Sequence, residues 1–294
     1  MSLRWLTEGK TIPVLTIVVV IMIVWYVGAV FMNAPVQRDM NKRAKIEPTT
    51  AEFVEQTWNQ PKPILPAPHQ IAQNFWKATF GVKVTSRRSL VYDAGVTLSS
   101  TVLGFALGTV LGVLIAVGIV HLPTLERSFM PWIIASQTIP ILAIAPMLIV
   151  VLAAIGVKGL IPKALISAYL SFFPVVVGMV KGLRSPDGLL LDLMRTYNAG
   201  RAVTFWKLRV PASLPFLFAS MKIAIAASLV GAIVGELPTG ARAGIGSKLL
   251  IGSYYGQTIQ IWSALLMASL LATALIVIVG LSERLTLRNM GARP

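Results

Sequence analysis

The feature that most constrains this chain is a series of long apolar runs. A membrane-spanning helix needs about 20 consecutive apolar residues, because the hydrocarbon core of a bilayer is roughly 30 Å thick. Six runs near this length lie at about residues 12–32, 96–120, 132–156, 160–181, 212–235 and 260–282. Only 13% of the residues are charged, and the mean hydropathy is +0.75. The sequence therefore predicts an all-α polytopic membrane protein with six transmembrane helices in the lipid bilayer.

The distribution of lysine and arginine predicts the orientation, because short cytoplasmic loops are enriched in these residues. With the N-terminus inside, twelve fall in short inside segments and four in short outside loops. The inside set is Arg4, Lys10, Arg127, Lys181, Arg184, Arg195, Arg201, Lys207, Arg209, Arg284, Arg288 and Arg293, and the outside set is Lys158, Lys163, Arg242 and Lys248. We therefore expect both termini in the cytoplasm.

This orientation divides the chain into four segments. They are a cytoplasmic N-terminus with a retained first helix at 1–32, an extracytoplasmic connector at 33–92, a core domain at 93–283 with a cytoplasmic loop at 186–211, and a cytoplasmic tail at 284–294. Four prolines in the connector, within "NQPKPILPAPHQ", stop helices and favour an extended backbone.

Composition excludes several kinds of site. The chain has no cysteine, which excludes disulfides, thiolate ligands and thiol catalysis. His69 and His121 are far apart in sequence, so we expect no metal site. The basic residues are spread over loops, which does not indicate nucleic-acid binding despite a net charge of +15. "TGARAGIGSK" at 239–248 fails the phosphate-binding pattern G-x-x-x-x-G-K-[ST], so we expect no nucleotide site. A membrane enzyme would need catalytic groups clustered on one face, and the sequence has none, so we expect no catalytic residue.

Two features of the spans suggest specific contacts. Gly104, Gly108 and Gly112 recur every four residues, a spacing that lets two helix backbones approach closely. The partner helix could belong to the same subunit or to a second one. Lys222 and Glu236 are the ionisable candidates inside the spans. Lys222 could extend its amine to the cytoplasmic interface, and Glu236 could pair at the outer end of its helix.

The cytoplasmic loop combines an amphipathic helix with a turn. Its apolar residues have helical spacing and lie at Leu189, Leu190, Leu193, Met194 and Tyr197. Asp192 and Arg195 can pair on the opposite side. Asn198 and Gly200 tolerate the left-handed backbone of a turn, and "RAVTFWKL" can form a second short helix before the next span. The loop could rest on lipid headgroups or dock into a groove on a partner protein.

The stretch "DLMRTYNAGRAVTFWKLRVPASLPFLFASMKIA" resembles the EAA loop of type I ABC importer permeases. Asp192 stands at the Glu position, Met194 at the second Ala and Asn198 at the usual Gly. Further along, Phe205 matches the recurrent Phe, and Val210-Pro211 matches the Leu-Pro. Segments near "ILPAPHQIAQNF", "TIPILAIAPMLIVVLAAIGVKG" and "VGELPTGARAGIGSKL" resemble the taurine/nitrate/sulfonate/bicarbonate branch of this family.

The resemblance implies a permease homodimer in the bacterial inner membrane, with the type I ABC importer transmembrane-domain fold. Two partner ATPase subunits would bind ATP and Mg, and an extracytoplasmic solute-binding protein would deliver the substrate. The implied ATPase-coupling loop comprises Asp192, Met194, Arg195, Tyr197, Asn198, Ala199, Gly200, Arg201, Phe205, Trp206 and Pro211. The candidate translocation path comprises Gln137, Ser167, Tyr169, Phe172, Ser228 and Glu236.

The substrate expected from the resemblance is taurine-, nitrate- or sulfonate-like, or a pyrimidine or thiamine precursor. The alternative function is an ion-coupled secondary transporter or a channel, with the cytoplasmic loop lying on the membrane surface.

Overall fold

The computed structural model describes residues 11–238 and 243–290, which form helices and connecting loops without strands. The cations Arg4, Lys10, Arg242 and Arg293 of the orientation count lie outside these residues, as do the ends of both predicted cytoplasmic termini and part of the 239–248 segment. The helices are α1 (Thr11–Ala44), α2 (Thr50–Trp58), α3 (Pro68–Phe80), α4 (Leu90–His121), α5 (Pro123–Ser136), α6 (Ile141–Ala154), α7 (Leu160–Leu183), α8 (Gly188–Thr196), α9 (Arg201–Thr204), α10 (Val210–Glu236), α11 (Ile245–Tyr254) and α12 (Thr258–Asn289).

These residues form two compact units. In the described part of the chain, the first unit contains residues 11–91 and 248–267, and the second contains residues 92–238, 243–247 and 268–290. Five of the helices are long and apolar enough to cross a membrane, and α5 with α6 supplies a sixth crossing if the pair forms one span.

In the first unit, α1 extends well beyond the apolar run that starts it. Its 34 residues correspond to roughly 50 Å, more than a bilayer requires. Beyond the apolar run, Asn33, Gln37 and Asn41 recur every four residues and are buried. The helix continues because a polar face replaces the apolar one and finds partners in residues 56–65.

Asn33 is the centre of that polar face. Its amide group donates to the carbonyls of Thr57 (3.1 Å) and Leu65 (2.9 Å), and its side-chain oxygen accepts from the backbone N–H groups of Ile64 and Leu65. All four hydrogen-bonding positions of the side chain are therefore used. This arrangement fixes the proline-containing stretch before α3 against α1, and Pro68 occupies the first turn of α3, where a missing N–H is harmless.

The second unit is built on close packing of α7 against α4 and α10. The glycine row of α4 lies against α7, where a Cβ on Gly108 would stand 2.0 Å from Ser171 Oγ and 2.8 Å from the carbonyl oxygen of Ala168. Gly231 of α10 meets the backbone of α7 at Ser167 in the same way. The predicted helix contact is thus present within one subunit, which answers the question that the sequence left open.

The apolar run at 132–156 does not form one straight helix. The region forms α5 and α6, which meet at an angle of 101° across a short break before Pro140. Proline has no backbone N–H to donate and restricts the preceding residue to extended conformations. These restrictions interrupt the helix at a point where the polar residues Ser136, Gln137 and Thr138 also stand between the two apolar runs.

The prediction of a separate second helix in the cytoplasmic loop is wrong, because residues 201–236 form one continuous helical stretch. A π-helical turn at Phe205–Arg209 joins α9 to α10. The N–H of Val210 donates to the carbonyl of Phe205, five residues back. In a regular α-helix the ring of Pro211 would collide with the carbonyl of Lys207, and the wider π turn makes room for it.

Candidate functional site

The amphipathic helix α8 leaves its apolar residues exposed. Leu189 is 77% exposed and Leu193 is 49% exposed, and no residue of α8 is buried. The predicted ion pair is present, with Arg195 Nη1 2.9 Å from Asp192 Oδ1. Both side chains are largely in solvent, so the pair contributes at most a few tenths of a kcal/mol, about 0.2–0.5. The apolar face has no partner in the described part of this chain.

The turn after α8 is a Schellman motif centred on Asn198. Asn198 has φ +50°, in the left-handed region that most side chains disfavour. Its N–H donates to the carbonyl of Arg195 (2.8 Å), and the N–H of Ala199 donates to that of Met194 (2.9 Å). These two bonds satisfy the last carbonyls of the helix. Gly200 has φ −65°, so the left-handed position falls to Asn198 and not to the glycine.

The two aromatic residues that follow the turn have different surroundings. Phe205 packs against the core cluster of α4, α5 and α7, and its ring centroid is 4.8 Å from that of His121. Trp206 is 68% exposed, beside Phe205. Phe205 therefore anchors the segment to the membrane helices, while Trp206 and Tyr197, which is 77% exposed, extend the exposed apolar surface of α8.

The start of the loop is fixed by an ion pair with two hydrogen bonds. Arg184, just after α7, donates from Nη1 (2.9 Å) and Nη2 (2.7 Å) to the two carboxylate oxygens of Glu126 on α5. This hydrogen bonding raises the pKa of Arg184. The loop is thus attached at its start to α5 and at its end to α10.

Two residues of the predicted translocation path join helices within the second unit. Ser167 Oγ donates to the carbonyl of Ser228 (2.5 Å), and Ser228 Oγ donates to that of Ser167 (3.3 Å). Both residues are fully buried. This reciprocal pair lies where α7 crosses α10, beside the close contact at Gly231.

Three other predicted path residues lie near the break between α5 and α6. Tyr169 donates its hydroxyl to the carbonyl of Ser136 (2.5 Å), which ties α7 to the end of α5. The Tyr169 and Phe172 rings are 6.1 Å apart. Gln137 is exposed at the break itself. The structure places these side chains together on one side of α7, separately from the buried Ser167–Ser228 pair.

Glu236, at the end of α10, is fully buried. Its carboxylate accepts from Thr97 Oγ1 on α4 (2.9 Å) and from the N–H of Gly246 (2.7 Å). Thr97 Oγ1 also accepts the N–H of Ile245 (2.9 Å), and Asp93 accepts that of Gly244 (2.8 Å). The two carboxylates and one hydroxyl thereby hold residues 244–246 against α4.

Known proteins share this sequence over much of its length. Residues 108–290 match the family described as "Binding-protein-dependent transport system inner membrane component". The chain is 32% identical over 225 residues to the riboflavin transport system permease protein RibX of Chloroflexus aurantiacus, covering 76% of this chain and 80% of that protein.

The chain belongs to this family. The permease is also 33% identical over 150 residues to the formylaminopyrimidine transport permease protein ThiX of Halalkalibacterium halodurans, covering 51% and 58% of the two chains. It is 24% identical over 223 residues to the nitrate import permease protein NrtB of Leptolyngbya laminosa, covering 72% and 76%. The resemblance to type I ABC importer permeases of the sulfonate and nitrate branch is confirmed.

The permease also contains an ion pair between two membrane helices. Lys222 on α10 pairs with Glu283 on α12, and both side chains are partly buried. The Lys222 side chain lies in van der Waals contact with α12 beside Gly280, where its Cε is 3.7 Å from the position of an added Cβ. The amine therefore has a carboxylate partner in the chain and does not rely on reaching the membrane interface.

Three contacts between segments of the permease were not predicted from the sequence. Glu283 was not recognised as the partner of Lys222, and Thr97 and Asp93 were not recognised as partners of the segment after α10. A signal was present for Thr97, because polar residues at 97, 100 and 101 give the start of α4 a polar face with helical spacing. A single carboxylate at 283 in an apolar helix was the signal for the ion pair.

Proposed function

We propose that the permease is the membrane subunit of an ATP-driven importer, with both termini in the cytoplasm and a homodimer enclosing the translocation path. Two partner ATPase subunits supply ATP hydrolysis with bound ATP and Mg, and an extracytoplasmic binding protein supplies the solute. Membership of a binding-protein-dependent transport family supports this arrangement.

The observation that carries the coupling role is the exposed apolar surface formed by α8, Tyr197 and Trp206. An amphipathic helix whose apolar residues are largely exposed in the described part of the chain is suited to a groove on a neighbouring protein. The Schellman turn at Asn198 and the partly buried anchor Phe205 connect this surface to α10 without a flexible linker. A displacement of the surface is therefore passed to the membrane helix as a rigid-body motion.

For the substrate we propose a nitrogen heterocycle. Two relatives above 30% identity are named for riboflavin and formylaminopyrimidine transport, and both of these compounds are nitrogen heterocycles. Relatives named for nitrate and aliphatic sulfonates are 24% and 25% identical. These anions are the second candidate class.

Uptake into proteoliposomes tests the proposal. The permease, its ATPase and its binding protein would be reconstituted with ATP inside, and labelled riboflavin, a formylaminopyrimidine, taurine and nitrate would be supplied outside. ATP-dependent accumulation of one of the heterocycles is the expected result. Accumulation of taurine or nitrate alone would overturn the substrate class, and accumulation without ATP would overturn the importer.

A further inference from the structure

The first unit contains a cavity with charged and amide side chains on partly apolar walls, and neither the coupling loop nor the path explains it. It has a volume of about 430 Å³ and opens to solvent. Its walls come from the proline-containing stretch, α3, the residues that begin α4, and residues 248–260. These segments belong to the predicted extracytoplasmic connector and the predicted outer loop.

The charged residues that line the cavity all carry positive charge: Lys62, Arg88 and Lys248. The remaining polar lining includes the amides of Asn74 and Gln260, which can donate hydrogen bonds. In residues 11–238 and 243–290, neither Lys62 nor Arg88 forms an ion pair with a carboxylate, and both residues are exposed. The cavity therefore presents a positive field that this chain leaves available to an anionic partner.

The walls of the cavity are held in place by hydrogen bonds that do not involve its cations. The hydroxyl of Thr258, at the start of α12, donates to the carbonyl of Pro63. Gln70 Nε2 of α3 donates to the carbonyl of Gln60 (2.9 Å), and Ser263 Oγ donates to that of Ile71 (3.4 Å). The cations are thus presented by a fixed framework, which reduces the ordering required when a partner binds.

We propose that this cavity receives acidic side chains of the extracytoplasmic solute-binding protein, and that Lys62 and Arg88 provide the electrostatic contact. The inference rests on the proposed function, which requires such a protein at this face of the membrane. The exposed cations Lys62 and Arg88 lie on two separate segments and give a field that extends beyond the cavity, and a field of this kind steers an incoming protein and fixes its register.

The test measures ATP hydrolysis by the permease–ATPase complex in nanodiscs while the binding protein is titrated. We expect Lys62→Gln/Arg88→Gln to raise the concentration for half-maximal stimulation about tenfold, with basal hydrolysis unchanged. The variant should also lose most of the salt dependence of stimulation. The matched control is Lys83→Gln/Arg87→Gln, which removes two exposed cations of the same connector that do not line the cavity. The control should behave as wild type.

The outcomes separate the two proposals. If the wild-type complex is not stimulated by its binding protein, the proposed function fails. If the wild type is stimulated and the cavity variant has the same half-maximal concentration, the docking inference is overturned and the importer stands. An equal shift in both variants also overturns it, since general surface charge would then explain the effect. A fourth outcome combines two results: the cavity variant leaves the titration unshifted, and sulfate raises the melting temperature of the permease only when Lys62 and Arg88 are present. This outcome would overturn docking and assign the cavity to a small anion.

Discussion

The hydroxyl of Thr97 lies 2.9 Å from one carboxylate oxygen of Glu236 and 3.1 Å from the other, although 139 positions separate the two residues in sequence. The same hydroxyl accepts the N–H of Ile245. One side chain thus connects α4, the end of α10 and the start of α11. The hydroxyl serves as donor and acceptor at once, which no apolar residue of similar shape can reproduce.

Thr97→Val should destabilise the permease by about 1–3 kcal/mol, because a buried carboxylate and a buried N–H each lose a partner. Thr97→Ser keeps the hydroxyl and should remain near wild type. The melting temperature of the purified protein in detergent would measure the difference. Equal melting temperatures for the Val and Ser variants would show that this contact is not structural.

Gly108→Ala should lower the free energy of unfolding of the permease by about 1–3 kcal/mol. The added Cβ would stand 2.0 Å from Ser171 Oγ and 2.8 Å from a backbone oxygen of α7. Gly95→Ala is the matched control in the same helix, because nothing lies within 4 Å of its Cβ position. The control should be neutral or up to about 1 kcal/mol more stable. The same detergent melting assay applies, and equal effects at both positions would contradict the close packing of α4 on α7.

Glu283→Gln should lower the free energy of unfolding of the permease by about 1–3 kcal/mol, because it leaves the amine of Lys222 partly buried without its carboxylate. This loss lies between those measured for exposed and for fully buried ion pairs. Lys222→Glu/Glu283→Lys should recover part of the loss.

ATP-driven uptake by the wild-type permease should survive a protonophore, because the Lys222–Glu283 pair holds two helices together and carries no coupling ion. Loss of uptake with the protonophore would favour the ion-coupled carrier.

The cysteine-free sequence permits a direct test of orientation. A single cysteine at Lys83 should react with an impermeant maleimide in intact cells, and one at Tyr197 should react only after the membrane is opened. Both positions are exposed in the structure, so accessibility of the side chain does not confound the comparison. The reverse labelling pattern would place both termini outside.

The sequence predicted those features of the fold that depend on local composition. The apolar runs, the glycine row and the left-handed turn at Asn198 each follow from residue type and spacing alone. The continuation of α1 to Ala44 could not be predicted in this way, because Asn33 is stabilised by backbone groups 24 to 32 residues away. The pairing of Glu236 with Thr97 and of Lys222 with Glu283 likewise depends on which helices meet.

The break between α5 and α6 has a different origin. The polar run Ser136, Gln137 and Thr138 and the proline at 140 both mark this boundary in the sequence, but neither specifies the angle between the two helices. The π turn at Phe205–Arg209 is a comparable case. Pro211 predicts that the helix is irregular near this position, but it does not predict that the irregularity is a π turn.

In the proposed importer, α8, its turn and Trp206 form the contact with the partner ATPase. Asn198→Pro removes the N–H that caps α8 and fixes φ near −65°, so the turn cannot form. Asn198→Gly allows the left-handed conformation and is the matched control.

Membrane insertion of each variant would be verified first. Complexes would then be purified through a tag on the permease, and the amount of bound ATPase and its rate of ATP hydrolysis would be measured. We predict that wild type and Asn198→Gly retain the ATPase and that Asn198→Pro loses it. Full retention and hydrolysis in Asn198→Pro, or no ATPase with wild type, would contradict the account.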